Sequence, residues 1–135
     1  MDAIKIEKLK TSHNNGWTKM GARVFLVIML LLIPFATLTP DPGTPSKAAP
    51  FLHFLGMAWV AFLACLSFET NRMRLGAVGF VFAYSALMEF FQHYLPYRNG
   101  TWEDVGINGL GCLMGVGLFI VQRSTFQVLN SRFRF

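Results

Sequence analysis

Three side chains with acid–base or hydrogen-bonding chemistry lie close together in the third long apolar run of the chain. Glu89, Gln92 and His93 are spaced i, i+3 and i+4, so a helix places them within an arc of about 100° on one face. A carboxylate beside an imidazole could act in general acid–base catalysis. Carboxylate and amide groups could also bind the hydroxyl or amide groups of a ligand.

A second polar series lies in the fourth apolar run. Asp104, Asn108, Gly111 and Gly115 follow one another at i, i+4, i+7 and i+11, which forms one stripe along a helix. Gly111 and Gly115 form a small-xxx-small pair that lets another helix approach closely. We therefore expect the stripe to face the other helices, with these two glycines as packing residues. For Asp104, a role limited to capping the helix N-terminus is the alternative.

The elements that position these residues follow from composition. The chain is 53% hydrophobic and only 14% charged, whereas soluble domains are about 25% charged. Four apolar runs of 17 to 21 residues approach the ~20 residues needed to cross a ~30 Å hydrocarbon core. Because lipid cannot satisfy backbone polar groups, we predict an all-α membrane protein with four transmembrane helices. The runs are Gly21–Leu38, Pro50–Phe68, Leu75–Leu95 and Val105–Val121.

The segments that flank this predicted 21–121 domain are basic. Residues 1–20 could form a short surface helix, which Asn14, Asn15 and Gly16 should interrupt. Residues 122–135 form a basic, aromatic tail. The two cysteines lie inside apolar runs, and no Cys or His spacing is typical of a metal site, so we expect no metal and no cofactor.

The distribution of Lys and Arg predicts the orientation in the membrane. The loops 40–49 and 96–104 hold only Lys47 and Arg98, and every other Lys and Arg lies near the termini or in the turn between the second and third runs. The positive-inside rule then places both termini in the cytoplasm and the two loops outside. The net charge of +5 thus indicates orientation, and we expect no nucleic-acid partner.

This topology gathers the polar residues of the spans near the outer face. Glu89 falls about 9 Å below the outer boundary, whereas His53 and Asn108 fall about 5 Å below it. A charge at membrane depth costs about 2.5–3.5 kcal/mol on insertion scales, so Glu89 needs a partner. We predict one outward-facing polar pocket. Its expected ligand-binding residues are Lys47, His53, Glu89, Gln92, Arg98, Asp104 and Asn108.

The same positions carry a family resemblance. The chain reads Tyr84…Glu89-x-x-Gln92, Pro96-x-Arg98 and Asp104-x-x-x-Asn108-Gly109-x-Gly111-x-x-x-Gly115. This ordered set, together with the Lys47…His53 stretch, resembles the VanZ-like family of bacterial integral membrane proteins over roughly residues 21–121. The resemblance implies a multi-pass cell-envelope protein of the bacterial inner membrane, in a family linked to glycopeptide resistance. It implies no established reaction.

Three functions stay open at this point. The pocket could recognise an anionic or glycosylated lipid head group, such as that of a lipid-linked envelope intermediate, with Lys47, His53 and Arg98 on the anion. It could be the active site of an intramembrane enzyme, with Glu89 or Asp104 as the acid–base residue; no nucleophile motif is visible. The polar residues could instead hold together a structural or partner protein. A homo-oligomer is compatible with all three.

Overall fold

A computed structural model of the chain describes residues 3–40, 48–98 and 100–132. These ranges contain four helices and no strand: α1 (Ala3–Leu38), α2 (Ala49–Ser67), α3 (Asn71–His93) and α4 (Trp102–Arg132). Each helix includes a stretch that is long and apolar enough to cross a membrane. The predicted all-α fold with four membrane-spanning helices is therefore confirmed.

Two helices are longer than the sequence predicts. The helix α1 runs through Asn14, Asn15 and Gly16 without a break, so the interruption predicted there is wrong. The helix α4 continues to Arg132, eleven residues beyond the predicted end of its apolar run at Val121. Asn and Gly cost at most about 1 kcal/mol each within a helix. A helix that extends from a membrane span also needs no new nucleus, so these residues do not end it.

The contacts between helix ends define two ends of the bundle. The Lys19 ammonium lies 2.8 Å from the Glu69 carboxylate, so α1 near Lys19 and the α2–α3 turn share one end. Arg98, which follows α3, donates to carbonyls at the C-terminus of α1 at the other end. We call these the inner end and the outer end, after the orientation that the positive-inside rule predicts.

The most extensive helix–helix contact joins α2 to α4. A β-carbon added to Gly111 would lie 2.5 Å from the Phe54 carbonyl oxygen, and one added to Gly115 would lie 2.9 Å from the Ala61 β-carbon. Both glycines thus bring the α4 backbone directly against α2, whose facing side is buried. This close approach sets the distance between the outer turns of the two helices, where His53 and Asn108 lie.

A proline in α1 leaves one backbone carbonyl without its usual helical donor. Pro34 has no N–H, so the Leu30 carbonyl cannot receive the i→i−4 hydrogen bond. The Tyr84 hydroxyl of α3 donates to this carbonyl at 2.9 Å. In a membrane such a carbonyl must be satisfied from within the protein. The Tyr84 side chain therefore completes the hydrogen bonding of α1 from the neighbouring helix.

Candidate functional site

Three helices each contribute one polar side chain to a buried contact near the outer end. Glu89 of α3 is only 4% exposed. Its Oε1 lies 3.4 Å from His53 Nδ1 of α2 and accepts a long hydrogen bond of 3.5 Å from Asn108 Nδ2 of α4. We call Glu89, His53 and Asn108 the outer triad. The structure brings these three sequence-predicted residues together across the bundle.

The outer triad leaves two buried oxygen atoms without a partner. Within the described part of the chain, neither Glu89 Oε2 nor Asn108 Oδ1 makes a hydrogen bond, and Asn108 is 2% exposed. A buried polar atom left in this state costs about 1–3 kcal/mol. An ionised carboxylate and an amide oxygen are both acceptors, so the matching ligand group is a hydrogen-bond donor. Among the described residues, no group of three or more His, Cys, Asp or Glu could hold a metal ion.

A cavity of about 150 Å³ lies beside Glu89, between α3 and the start of α4. His93 and Thr101 also line it, and Phe90 and Trp102 supply aromatic walls. A water molecule occupies about 30 Å³ of the liquid, so the cavity has room for a small polar group of several heavy atoms. It is far too small for the whole head group of a lipid-linked saccharide. The cavity can therefore hold part of a head group while the remainder stays outside.

Gly100 brings the outer loop against α3. A β-carbon there would overlap the Glu89 carbonyl oxygen and lie 2.9 Å from the His93 nitrogen. Gly100 also lines the cavity, so any side chain at this position would push the loop away from the site. The Asn99-Gly100 dipeptide predicts a turn, but a turn signal does not reveal this close approach, and Gly100 was not among the predicted site residues.

Gln92 and Arg98 bind the backbone of α1. Gln92 Nε2 donates to the Thr37 carbonyl at 2.9 Å. Arg98 donates to the Thr39 carbonyl from Nε at 3.1 Å and from Nη2 at 2.9 Å, and the Tyr97 hydroxyl donates to another carbonyl of the same turn at 3.1 Å. These donors satisfy the carbonyls that a helix C-terminus leaves open. We call Tyr84, Gln92, Tyr97 and Arg98 the α1 brace.

Asp104 lies in the first turn of α4 and belongs to its N-terminal cap. The Asp104 N–H donates to Thr101 Oγ1 at 3.2 Å, and the Thr101 hydroxyl donates to Asp104 Oδ2 at 2.8 Å. Thr101 is thus the N-cap residue, and Asp104 takes part in the cap from the third position of α4, in keeping with the capping role that the sequence offered as the alternative. The spacing Thr-x-x-Asp is itself a capping signal that could have identified Thr101. Lys47, the remaining predicted site residue, lies outside the described residues.

All of the predicted site residues lie within the range that a known protein family matches. The family model described as VanZ/LLP1 matches residues 6–123, which is most of the chain. The chain belongs to the VanZ/LLP1 family. The resemblance read from the sequence is confirmed, over a longer range than the predicted 21–121. With its four apolar helices, this VanZ/LLP1 chain is a multi-pass membrane protein. No curated protein and no solved structure matches it significantly.

Proposed function

We propose that this VanZ/LLP1 protein is a cell-envelope protein of the bacterial inner membrane that recognises a lipid head group from the outer side. The head group would belong to a membrane lipid or a lipid-linked envelope intermediate. The observation that carries the proposal is the pair of buried, unpartnered oxygens, Glu89 Oε2 and Asn108 Oδ1. Both are acceptors when Glu89 is ionised, so the recognised group carries an N–H or O–H donor.

This proposal changes the chemistry expected from the sequence. From the sequence alone, we expect Lys47, His53 and Arg98 to bind an anion. Arg98 donates three hydrogen bonds to α1 carbonyls, which supports a bracing role for it. The acceptors of the outer triad instead favour an ammonium or a hydroxyl group, and a charge-assisted bond to such a group is shorter and stronger than a neutral one.

The surroundings of the cavity fit a ligand that remains anchored in the bilayer. Trp102 is 88% exposed and begins α4, and Phe90 on the other wall is also exposed. Trp side chains are enriched at the level of the lipid head groups. A donor group could then enter the cavity beside Glu89 while its acyl chains stay in the membrane.

A lipid pair that differs only in N–H donors tests the proposal. Phosphatidylethanolamine has an ammonium with three N–H donors, whereas phosphatidylcholine carries the same charge with none. Native mass spectrometry of the purified protein should show at least about tenfold tighter binding of phosphatidylethanolamine, the factor that ~1.4 kcal/mol gives. Glu89→Gln should remove most of this preference. Equal binding of the two lipids by the wild type would contradict the proposal.

Glu103→Gln is the matched control for Glu89→Gln. Glu103 is exposed, lies in the first turn of α4 at the outer end and does not line the cavity. Glu103→Gln removes one negative charge at the same end of the bundle as Glu89→Gln does. Because Glu103 does not line the cavity, the lipid preference should be unchanged. If both variants lose the preference equally, diffuse surface charge and not the outer triad sets it.

The contact between Glu89 and His53 supports a second candidate function, acid–base catalysis on the bound head group. A carboxylate 3.4 Å from an imidazole can hold and transfer a proton. Ser85, one turn away, donates its hydroxyl to the Phe82 carbonyl of its own helix at 2.9 Å, which does not favour it as a nucleophile. Catalysis requires that the wild type convert extracted lipids to new products and that Glu89→Gln does not. A lipid profile that stays unchanged on incubation with the wild type leaves binding as the function.

A further inference from the structure

A second recess lies at the inner end, remote from the outer triad. The helices α3 and α4 separate there and leave a groove of about 370 Å³, against the last turn of α2. Leu75 and Val78 of α3 form one wall, and Phe119 and Ile120 of α4 form the other. The groove is thus mainly apolar along the direction of the lipid chains.

Two arginines line this groove, one from each wall. Arg74 is held in place, since its Nε donates to the Cys65 carbonyl at 3.0 Å and its guanidinium lies 4.7 Å from the centre of the Phe119 ring. Arg123 of α4 also lines the groove. No lining residue is acidic, so two positive charges share one recess without a carboxylate between them.

The carboxylate in the neighbouring α2–α3 turn is engaged elsewhere. Glu69 forms its ion pair with Lys19 of α1, at 2.8 Å. The Arg123 side chain, for its part, makes no hydrogen bond or ion pair with any other described residue. The guanidinium of Arg123 is therefore available to an anion from outside the chain.

The depth of Arg123 matches the phosphate level of a bilayer. It follows Trp102, the first residue of α4, by a rise of about 32 Å at 1.5 Å per residue. This rise is close to the ~30 Å thickness of the hydrocarbon core. Ser124 and Gln127 lie on the same side of α4 and line the same groove, so polar donors surround Arg123 where the apolar walls end.

We propose that the inner-end groove binds an anionic phospholipid of the inner leaflet. The phosphate diester would accept hydrogen bonds from Arg123 and face the Arg74 charge, and one acyl chain would lie along Leu75, Val78 and Ile120. Basic recesses between transmembrane helices on the cytoplasmic side bind anionic head groups in this way. The apolar walls and the volume of the groove favour a lipid over free phosphate, which would leave the walls uncovered.

A lipid pair that differs in net charge but lacks head-group donors tests this site separately from the outer triad. Phosphatidylmethanol is anionic, phosphatidylcholine is zwitterionic, and neither carries a head-group N–H or O–H. Native mass spectrometry should show tighter binding of phosphatidylmethanol by the wild type. Arg123→Gln should weaken its binding about fivefold, the effect of one basic residue at a membrane surface. Leu75→Trp, which narrows the groove from an exposed position, should weaken it as well.

Arg72→Gln provides the matched control. Arg72 is exposed and lies in the first turn of α3, but it does not line the groove, so binding should change by less than about twofold. Three results would overturn the proposal: equal binding of the two lipids, an equal loss in Arg72→Gln, or displacement of the lipid by millimolar inorganic phosphate. Glu89→Gln should leave phosphatidylmethanol binding intact, so failure at one end is distinguishable from failure at the other.

Discussion

Arginines donate hydrogen bonds to helix C-termini at both ends of the bundle, but the carboxylates Glu69 and Glu89 differ in burial and in their partners. At the inner end, Arg23 donates to the Ser67 carbonyl at 2.8 Å, and Arg98 does the same for α1 at the outer end. The inner carboxylate, Glu69, is exposed and pairs with a lysine at 2.8 Å. At the outer end, the Glu89 carboxylate is buried beside His53 and keeps one oxygen unpartnered.

The difference separates residues that hold the fold from residues that can bind. Arginine caps occur at both ends, so the arginine of the outer end is explained by the need to satisfy α1. A paired surface carboxylate needs no ligand, whereas a buried carboxylate with a free oxygen is costly unless something binds it. Substitutions at Arg98 and Glu89 test whether stability and binding depend on different residues.

Loss of the Arg98 cap should have the largest effect on stability. Arg98→Met removes three hydrogen bonds from a charged donor to α1 carbonyls. Such bonds contribute about 1.5–3 kcal/mol each but are not additive, so we expect a loss of about 3 kcal/mol. Arg23→Met, which removes one such bond, should cost about half as much. Reversible unfolding in mixed detergent micelles measures both losses. Equal losses would contradict the larger role assigned to Arg98.

Neutralising Glu89 should raise stability while it removes most of the preference for phosphatidylethanolamine. A charge at membrane depth costs about 2.5–3.5 kcal/mol on insertion scales, of which Glu89→Gln should recover about 1–2 kcal/mol. The same unfolding measurement, made on Glu103→Gln as the control, should show no comparable gain. A loss of stability in Glu89→Gln as large as that of Arg98→Met would mean that Glu89 serves the fold.

The link between Tyr84 and Pro34 should appear as a coupling between two substitutions. Tyr84→Phe leaves the Leu30 carbonyl unsatisfied and should cost about 1 kcal/mol. In a Pro34→Ala background the new N–H of residue 34 can bond this carbonyl within α1, so the same substitution should cost little. A double-mutant cycle measures the difference. An unchanged cost would show that the Tyr84 hydroxyl serves another partner.

The smallest effect belongs to the inner ion pair and depends on pH. The hydrogen bond and the charge interaction that Glu69 makes with Lys19 lower the pKa of Glu69 below the usual 4.5. A carboxyl with a lowered pKa stabilises the fold above its unfolded-state pKa, and this contribution disappears as the pH falls through the folded-state value. Lys19→Met should therefore lower the thermal midpoint slightly at pH 7 and by less at pH 3. A difference as large at pH 3 as at pH 7 would assign the effect to packing of the lysine stem.

The sequence could predict the membrane spans and which polar residues lie at the outer end. It could not predict which hydrogen-bond partner each of these residues has. Apolar run lengths and the phase of Glu89 and Asn108 are sequence properties, and they indicated which residues face the bundle. The partners of Gln92 and Arg98 are backbone carbonyls at the C-terminus of α1. Because every residue has a backbone carbonyl, the residue types do not indicate which one is bound. The carbonyl that Tyr84 binds could nevertheless be identified from the sequence, because Pro34 leaves the Leu30 carbonyl without its helical donor.

Helix continuity was the feature that local composition predicted least well. Asn14, Asn15 and Gly16 lower helix propensity, but they lie next to a span whose apolar residues already fix the helix. The same holds for the residues after Val121, where no proline or glycine follows until the end of α4. Local propensity therefore gave way to the context that the membrane span supplies.

The unbroken course of α1 makes it a spacer as well as a membrane span. Its 36 residues measure about 54 Å along the axis, which exceeds the ~30 Å hydrocarbon core by some 24 Å. Because the outer end of α1 is fixed by the brace, the excess length extends on the inner side. A domain or label fused at Ala3 would be carried on a helical arm that begins in the bilayer. The orientation of that arm would report directly on the tilt of α1.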